Sequence, residues 1–280
     1  MEPFVEQKKA QDQPGLFTIQ KWMHEYPGLT SGFTSRLGGV SKAPCSSLNC
    51  GLHVNDVPQD VVTNRERLAE AVGQPFEAFT YAEQVHSNEI IVVDEQHKGK
   101  GRLSRESAIQ AKDGFITNQR GIMLCAQFAD CVPLYFYDPV TGVIGLAHAG
   151  WKGTVLKISM ATISSMTHTF GSRPEHIRAV IGPSIGACCY EVDETVAVRV
   201  REVLYDMPEI EAESVLSAKG NGKYMLNLQE LNRIIMRQAG ILSSHIEVTQ
   251  LCTSCNTDTF FSHRKEGGST GRMVAWIGLV

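Results

Sequence analysis

The chain has 280 residues, of which 42% are hydrophobic and 20% charged, a balance typical of a globular protein with a large core. Its formal net charge is −4, and without a basic excess the composition argues against nucleic acid as a partner. The sequence shows neither an apolar leader nor a run of about 18 apolar residues, so we expect a cytoplasmic protein that does not span a membrane.

The first residues differ in character from the rest. Residues 1–27 are rich in Glu, Gln, Lys and Asp, and we expect them to form an N-terminal arm that is partly disordered. Residues 28–280 contain no linker and no short-period repeat, so we predict a single domain there, which carries the candidate catalytic residues. Eight cysteines in a chain of this length, without a secretory signal, favour reduced thiols over a disulfide framework.

Hydrophobic periodicity divides the chain into strands and helices. The predicted strands lie at 28–36, 79–83, 89–94, 114–117, 122–127, 132–138, 143–148, 177–182, 224–226, 246–250, 258–262 and 272–279. The predicted helices lie at 60–72, 154–170, 194–205 and 227–239. Because hairpins and helices are interspersed, the pattern indicates an α+β fold rather than a doubly wound parallel sheet.

One predicted hairpin places a thiol beside an imidazole. Cys131 stands at the start of one apolar strand and His148 ends the next, with a turn at residues 139–142 between them. Folding the chain at this turn brings Cys131 close to His148 at the open end of the hairpin. The two glycines within 149–153 would let the backbone approach a bound group closely, just before the N-terminus of a predicted helix.

His86 is the third candidate, because it lies in a turn between two short predicted strands, where functional side chains are common. Two histidines and a cysteine suit zinc or copper, and three protein ligands leave one position open for water or substrate. The residue types alone leave an alternative open, in which Cys131 is a core thiol and His148 a hydrogen-bonded residue at a strand end.

Four further cysteines carry weaker signals. Cys252 and Cys255 form a C-x-x-C pair, but the sequence has no second such pair to complete a zinc ribbon, so we expect structural or incidental roles. For the adjacent Cys188 and Cys189 we expect core packing rather than a strained disulfide.

Several short motifs resemble the signatures of the YfiH/YlmD family. They include Gln84-Val-His86, Ala129-Asp-Cys-Val-Pro133, Ala147-His-Ala-Gly-Trp-Lys-Gly153, Gly182-Pro-Ser-Ile-Gly186, Cys252-Thr253 and Phe261-Ser-His-Arg264. The resemblance runs from about residue 30 to the C-terminus and is closest to the Gram-positive YlmD branch. Members of this family have been called laccase-domain proteins, polyphenol oxidases and purine nucleoside phosphorylases.

The resemblance implies a layered α/β/β/α sandwich with mixed sheets and internal pseudo-duplication. It places the family's metal ligands at His86, Cys131 and His148, with one Zn²⁺ as the expected ion and Cu²⁺ as the other candidate. It also implies phosphorolysis of adenosine, inosine and methylthioadenosine to the free base and ribose 1-phosphate, together with deamination of adenosine. The expected partners are therefore purine nucleosides and phosphate, and the expected state is a monomer or homodimer.

The roles that follow from this resemblance are hypotheses about particular residues. We expect Cys131, His148 and Asp130 to act in catalysis, with Glu83 as an alternative to Asp130 for moving protons. The candidates for holding phosphate are Arg36, Lys152 and Arg264. The usual deaminase signature, H-x-E followed by P-C-x-x-C, is absent from the sequence, so deamination here would use an independent arrangement.

Other classes of function remain as alternatives. The first is a copper-dependent, laccase-like polyphenol oxidase, although the sequence lacks the His-x-His pairs of multicopper oxidases. The second is a non-catalytic partner in cell division or envelope maintenance. The third is a cysteine hydrolase with Cys131 as nucleophile and His148 as base, which predicts sensitivity to alkylation without dependence on metal.

Overall fold

The computed structural model describes residues 2–8, 10, 12–205 and 208–280. Over these residues the strands are β1 (Val5–Glu6), β2 (Leu16–Thr18), β3 (Leu29–Thr34), β4 (Phe79–Tyr81), β5 (Ile90–Val92), β6 (Gly114–Thr117), β7 (Ile122–Phe128), β8 (Val132–Asp138), β9 (Val143–Ala149), β10 (Arg178–Ile181), β11 (Glu191–Asp193), β12 (Leu216–Gly220), β13 (Lys223–Leu226), β14 (Ile246–Val248) and β15 (Met273–Leu279). The helices are α1 (Gln20–Glu25), α2 (Pro58–Val72), α3 (Trp151–Val155), α4 (Ile158–Phe170), α5 (Glu194–Leu204), α6 (Glu209–Val215) and α7 (Leu228–Gln238).

The strands form two six-stranded mixed sheets and one three-stranded sheet. The strand order is β1-β2-β3-β15-β7-β4 in the first sheet, β14-β10-β8-β9-β6-β5 in the second, and β11-β13-β12 in the third. Counted from β4 and from β5, each large sheet begins with one parallel pairing and continues with three antiparallel ones. This repeated pairing agrees with the internal pseudo-duplication that the resemblance implies.

The two large sheets pack face to face, and helices cover their outer faces. Phe33 and Leu124 of the first sheet and Tyr135 and Leu146 of the second lie in one buried core between the sheets. Outside the first sheet, α2 packs on a smaller apolar cluster, while α4 and α7 pack against the second sheet. The order of layers is therefore helix, sheet, sheet, helix, and the predicted α+β sandwich is confirmed.

The hairpin that carries the candidate metal ligands has the predicted register. Strands β8 and β9 pair antiparallel, with Pro133 opposite His148 and Val132 opposite Ala149. The turn closes through a hydrogen bond from Gly142 N to Asp138 O of 2.9 Å. Cys131 directly precedes β8, so its thiol lies at the same end of the hairpin as His148.

The predicted N-terminal arm is wrong for the described part of residues 1–27. Strands β1 and β2 extend the first sheet, because β2 pairs with β3 and β1 pairs with β2. Phe4, Phe17, Ile19 and Trp22 are all buried. The average composition of this segment is polar, so it did not reveal these buried apolar side chains, which are interspersed with exposed polar and charged ones. That residues 28–280 form a single domain stays a prediction.

Two other expectations differ from the structure. The predicted helix at 154–170 begins earlier and is split into α3 and α4, because Lys157 adopts a left-handed conformation with φ 58°. The predicted strand at 258–262 is a series of turns, closed by hydrogen bonds from Thr259 N and Phe260 N to Asn256 O. Its apolar side chains Phe260 and Phe261 are buried from this turn rather than from a strand. Within the described residues, no helix combines the length and apolar character needed to cross a bilayer.

Candidate metal centre

Three predicted ligands converge at the open end of the β8–β9 hairpin. The nearest side-chain ligand atoms of His86, Cys131 and His148 all lie within 4.8 Å of one another. The Cys131 Sγ lies 3.9 Å from His86 Nε2, and the two imidazole rings meet edge to face with their centroids 4.8 Å apart. The structure therefore brings together three residues of which the first and the last lie 62 positions apart in the sequence.

His86 is held in a conformation that few residues adopt. Its φ of 62° lies in the left-handed region, which is uncommon outside glycine and is often associated with function. The Asp113 carboxylate stabilises this turn, because it accepts hydrogen bonds from the backbone N–H groups of Val85, His86 and Ser87 at 3.2, 3.0 and 2.7 Å. The Ser87 hydroxyl donates to the same carboxylate at 2.9 Å.

The same carboxylate also orients His148. Asp113 Oδ1 lies 2.8 Å from His148 Nδ1, and His148 N donates to Asp113 O at 2.7 Å. A proton on Nδ1 leaves the Nε2 lone pair free for a metal ion, the arrangement commonly found for metal-bound histidine. Although burial alone would raise the pKa of Asp113, its hydrogen bond and charge interaction with His148 and its bonds to Ser87 lower that pKa to about 2.

Cys131 is prepared to act as a thiolate. Burial opposes ionisation, but the charge and hydrogen bonding of His148, together with His86, outweigh it and lower the pKa of the thiol to about 6. Burial likewise opposes charge on His148, whose pKa is raised to about 9 by Cys131 and then by Asp113. Without a metal ion, the pair therefore favours a thiolate beside an imidazolium at neutral pH. A bound cation would take the place of the imidazolium proton.

Gly150 leaves the room that this cluster needs. A Cβ atom at this position would lie 2.9 Å from His86 Cδ2 and 3.0 Å from Cys131 Sγ, closer than side-chain carbons normally approach. Only glycine therefore lets the backbone between β9 and α3 pass directly beside both ligands.

The donor set fits a soft or borderline transition metal. One thiolate and two imidazoles are typical ligands of Zn²⁺, and three protein ligands leave a coordination position free, as in catalytic sites. A tetrahedral ion with the usual Zn–S and Zn–N bond lengths would separate its sulfur and nitrogen ligands by about 3.6 Å. The observed 3.9 Å between Cys131 Sγ and His86 Nε2 is close to this value.

A cavity opens directly over the cluster. Its volume is about 370 Å³, within the size range of about 300–1,000 Å³ that small-molecule sites occupy. The lining residues are His86, Ala129, Asp130, Cys131, Gly150, Trp151, Lys152, Ile185, Tyr190, Leu228, His263 and Arg264. A second cavity of about 500 Å³ also borders His86, Trp151 and Lys152. The cluster thus has access to a space suited to a small polar ligand.

Two of the three predicted phosphate-binding residues line this cavity. Lys152 lies in the first turn of α3, with its Nζ 5.8 Å from the ring of Trp151. The Arg264 guanidinium lies 5.0 Å from the centre of the Tyr190 ring and donates from Nη1 to Glu191 O at 2.6 Å. Both cationic side chains therefore lie near the metal cluster, and they come from two segments that are distant in the sequence.

Asp130 lies at the cavity, but its carboxylate is already engaged. Oδ1 accepts a hydrogen bond from Thr253 Oγ1 at 2.7 Å, and Oδ2 accepts one from Arg264 N at 2.7 Å. Its φ of 85° is left-handed, like that of His86. These contacts favour a role in positioning the loop that carries Arg264, while the predicted role in proton transfer stays a prediction.

Arg36 and Glu83 are not brought to the cavity. The Arg36 guanidinium pairs with Glu266 at 2.9 Å, donates to Thr257 O at 2.8 Å and lies over the ring of Phe261. Glu83 forms a two-point ion pair with Arg105. Both charged groups are therefore paired with residues outside the lining of the cavity. These partners lie on distant segments of the chain, so the local turn sequence alone does not reveal them.

Asp113 is a residue of this site that the sequence alone did not reveal. Metal-binding histidines commonly donate a hydrogen bond to a carboxylate, so an acidic residue was to be expected beside each histidine of the site. Asp113 stands 35 positions before His148, directly before strand β6, and nothing in that spacing marks it as a partner.

Comparison with known proteins places this site in a family. A family model described as multi-copper polyphenol oxidoreductase laccase matches residues 30–280, and the chain belongs to this family. The purine nucleoside phosphorylase YlmD of Bacillus subtilis is 41% identical to it over 269 residues, which cover 95% of both chains. The protein of the same name from Geobacillus stearothermophilus is 43% identical over 255 residues, covering 90% of this chain and 91% of that one.

Solved structures give the same result. A Bacillus licheniformis protein titled hypothetical protein YfiH superposes with a TM-score of 0.91 at 40% identity, with 100% of both chains covered. YlmD from Geobacillus stearothermophilus superposes with a TM-score of 0.92 at 39% identity, covering 100% of this chain and 99% of that one. The expected membership of the YfiH/YlmD family, in its Gram-positive branch, is confirmed.

Proposed function

We propose that this chain is a purine nucleoside phosphorylase that holds one zinc ion at His86, Cys131 and His148. Its substrates would be adenosine, inosine and methylthioadenosine, which phosphate cleaves to the free base and ribose 1-phosphate, and it would also deaminate adenosine to inosine and ammonia. The observation that carries the proposal is the three-ligand cluster at a cavity that two cationic side chains also line. The names of the relatives from Bacillus and Geobacillus support the same substrate class.

The residues of the cluster have distinct tasks. A bound zinc ion would supply a Lewis acid beside the substrate, able to polarise a leaving group or activate water. Asp113 holds the Nδ1 proton of His148 and the turn of His86, so that both imidazoles face Cys131. The lowered pKa of Cys131 keeps its sulfur ionised and therefore ready to bind a cation.

The positively charged side chains that line the cavity would bind phosphate. Lys152 and Arg264 approach the space from different segments, and a guanidinium can hold two phosphate oxygens at once. Trp151 and Tyr190 provide aromatic surface in the same cavity, which suits contact with a purine ring. These placements favour a substrate that combines an aromatic base with an anionic co-substrate.

A copper-dependent polyphenol oxidase is the second candidate. The description of the matching family model names this activity, and a His₂Cys donor set also suits copper. The structure brings together one such cluster of mixed His and Cys ligands within the described residues. A multicopper mechanism would need several copper sites rich in histidine, so the phosphorylase proposal has the stronger support.

The proposal is tested with protein purified without added metal. Its metal content is measured first, and the protein is then incubated with adenosine in the presence and absence of phosphate. Adenine and ribose 1-phosphate that form only with phosphate support phosphorolysis, whereas inosine and ammonia support deamination. Absence of all these products, with phenol oxidation after copper loading, would favour the second candidate.

Variants link turnover to the metal cluster. His86→Ala and Cys131→Ser should each lose bound zinc and turnover together, because each removes one of three protein ligands. Cys45→Ser, at a thiol that does not line the cavity, and His168→Ala, at an exposed helix position, serve as matched controls. Full turnover by a variant that holds no metal would disprove the metal-dependent proposal.

A further inference from the structure

Four cysteines that the sequence left as two unrelated pairs meet in the structure. Cys188 and Cys189 follow β10, and Cys252 and Cys255 follow β14. Strands β10 and β14 are parallel neighbours, so the segments that follow them leave the second sheet at the same end of these strands. Ser184 and Cys252 form an isolated bridge there, and Thr253 N donates to Ser184 O at 3.0 Å.

The spacing of the four sulfur atoms is that of a coordination sphere. All four Sγ atoms lie within 4.8 Å of one another, with Cys188 and Cys189 at 3.5 and 3.4 Å from Cys255. A disulfide would require a separation of about 2.0 Å, and all four are free thiols. Four thiolates around a tetrahedral zinc ion would be separated by about 3.8 Å, given a Zn–S bond of about 2.3 Å.

Core packing does not explain this cluster. Cys188 and Cys255 are exposed, whereas thiols that serve only as small apolar groups are usually buried. The expectation that Cys188 and Cys189 pack in the core is therefore wrong for Cys188. Cys188 and Cys255 could point to solvent instead, so their convergence with Cys189 and the buried Cys252 indicates that something holds the four thiols together.

The surrounding backbone favours thiolate at this position. Gly186 N donates to Cys252 Sγ at 3.2 Å, an interaction that stabilises negative charge on sulfur. A Cβ atom at Gly186 would lie 3.3 Å from Cys188 Sγ, so glycine also lets this loop fold closely around the sulfurs.

We propose that Cys188, Cys189, Cys252 and Cys255 bind a second metal ion, a structural Zn²⁺ coordinated by four thiolates. With four protein ligands the site is closed, so it would stabilise structure rather than take part in turnover. The ion would join a loop that lines the cavity through Ile185 and Tyr190 to a second loop that contacts Asp130. Ile185 N donates to Asp130 O at 2.9 Å, and Thr253 donates to the Asp130 carboxylate.

This inference goes beyond the proposed function and does not depend on it, so the test separates the two sites. In a His86→Ala background, in which the first site lacks a ligand, the reduced protein is titrated anaerobically with cobalt(II) chloride. We expect one equivalent to bind, with the visible bands of tetrahedral cobalt and charge transfer from sulfur. Zinc sulfate should then displace the cobalt and abolish these bands.

A matched pair of thiol variants assigns the signal. Cys255→Ser in the same background should lose most of the sulfur-to-cobalt absorption, whereas Cys45→Ser, at a thiol outside the cluster, should retain it. Identical spectra for Cys255→Ser and its parent would overturn the proposal. So would iron in place of zinc in protein purified from cells grown without added metal.

Alkylation of the unsubstituted protein provides a second measurement that does not require a variant to fold. Without metal, the exposed thiols of Cys188 and Cys255 should react rapidly with iodoacetamide, and zinc sulfate should slow both reactions at least tenfold. Mass spectrometry assigns the modified residues. Equal rates with and without zinc, or a disulfide among the four cysteines that prevents zinc binding, would disprove the site.

Discussion

A single buried carboxylate organises the two histidines of the candidate metal centre. Asp113 is fully buried and contacts the backbone of the His86 turn with one set of hydrogen bonds and the ring of His148 with another. Loss of either contact would free one ligand to rotate. Because the two histidines lie on different segments, Asp113 is the physical link that sets their relative orientation.

We therefore predict that Asp113→Asn weakens zinc binding by about 10–100-fold, as is typical when the hydrogen-bond partner of a metal ligand is removed. The amide keeps the size of the side chain but loses the charge that favours the Nδ1 proton of His148. Competition with a chromogenic chelator measures the affinity. Asp138→Asn is the matched control, because Asp138 is equally buried, at the far end of the same hairpin. Equal zinc affinity in both variants would contradict the prediction.

Glu266 shows how a partly buried charged residue contributes to stability. Its carboxylate accepts hydrogen bonds from Ser262 N at 2.9 Å and Thr270 Oγ1 at 2.7 Å, and pairs with Arg36. Burial opposes the charge, but these contacts lower the pKa of Glu266 below its ordinary value. Folding therefore favours the ionised form, so the stabilisation is present at neutral pH and is lost as the pH falls below the unfolded value of about 4.3.

Glu266→Gln should accordingly destabilise the protein by about 1.5 kcal/mol at neutral pH, the scale of a hydrogen bond to a charged group. The difference in free energy of unfolding between variant and wild type should shrink as the pH is lowered through about 4. Urea unfolding at a series of pH values measures it. Glu95→Gln, at an exposed glutamate, should show no such trend. A difference that is constant with pH would show that charge is not the cause.

At the scale of elements, the β8–β9 hairpin and the turn into α3 carry the chemistry. The hairpin was predictable because its signals are local: an apolar run, a turn containing Pro139 and Gly142, and a second apolar run. The break between α3 and α4 was not predictable from periodicity, since Leu156 and Lys157 fit a continuous helix pattern.

Gly150 offers a test of this turn. Gly150→Ala should lower zinc affinity by at least about 10-fold, because the added methyl group would occupy the space between His86 and Cys131. Zinc content after dialysis against a chelator measures the effect. Gly145→Ala, within strand β9 just before this turn, is the control, since its Cβ would meet only core atoms at 3.3–3.4 Å. That variant should lose some stability but keep its zinc, and a reversed result would contradict the assigned geometry.

At the scale of the whole molecule, most strands were predictable, whereas their partners were not. Strands β6 and β8 were placed at their exact bounds, because each is a short apolar run between turn residues. The meeting of Asp113 with His86, and of Cys188 with Cys255, depends on sheet order, which no local pattern encodes. Resemblance supplied the ligand set of the first site, whereas only Cys252 of the four clustered cysteines falls in a family-like motif, and their convergence became visible only in three dimensions.

The N-terminal segment is the clearest case in which composition was misleading. Its polar average predicted an arm, yet Phe17 lies in β2 opposite Phe33 and packs against Phe260 with ring centroids 5.2 Å apart. Only 6% of the surface of Phe17 is exposed, so its burial in the core contributes to global stability although it lies near the N-terminus. The first sheet would lose β1 and β2, the two strands at one of its edges, if this segment detached.

Phe17→Ala should therefore reduce the free energy of unfolding by about 3–5 kcal/mol, the usual cost of removing a buried aromatic ring. Val5→Ala is the matched control in the same segment, because Val5 is 40% exposed and should change stability by less than about 0.5 kcal/mol. Guanidinium unfolding of both variants, followed by tryptophan fluorescence, gives the two values. A detached arm would leave both variants as stable as the wild type, whereas a large loss confined to Phe17→Ala requires that β2 be part of the folded sheet.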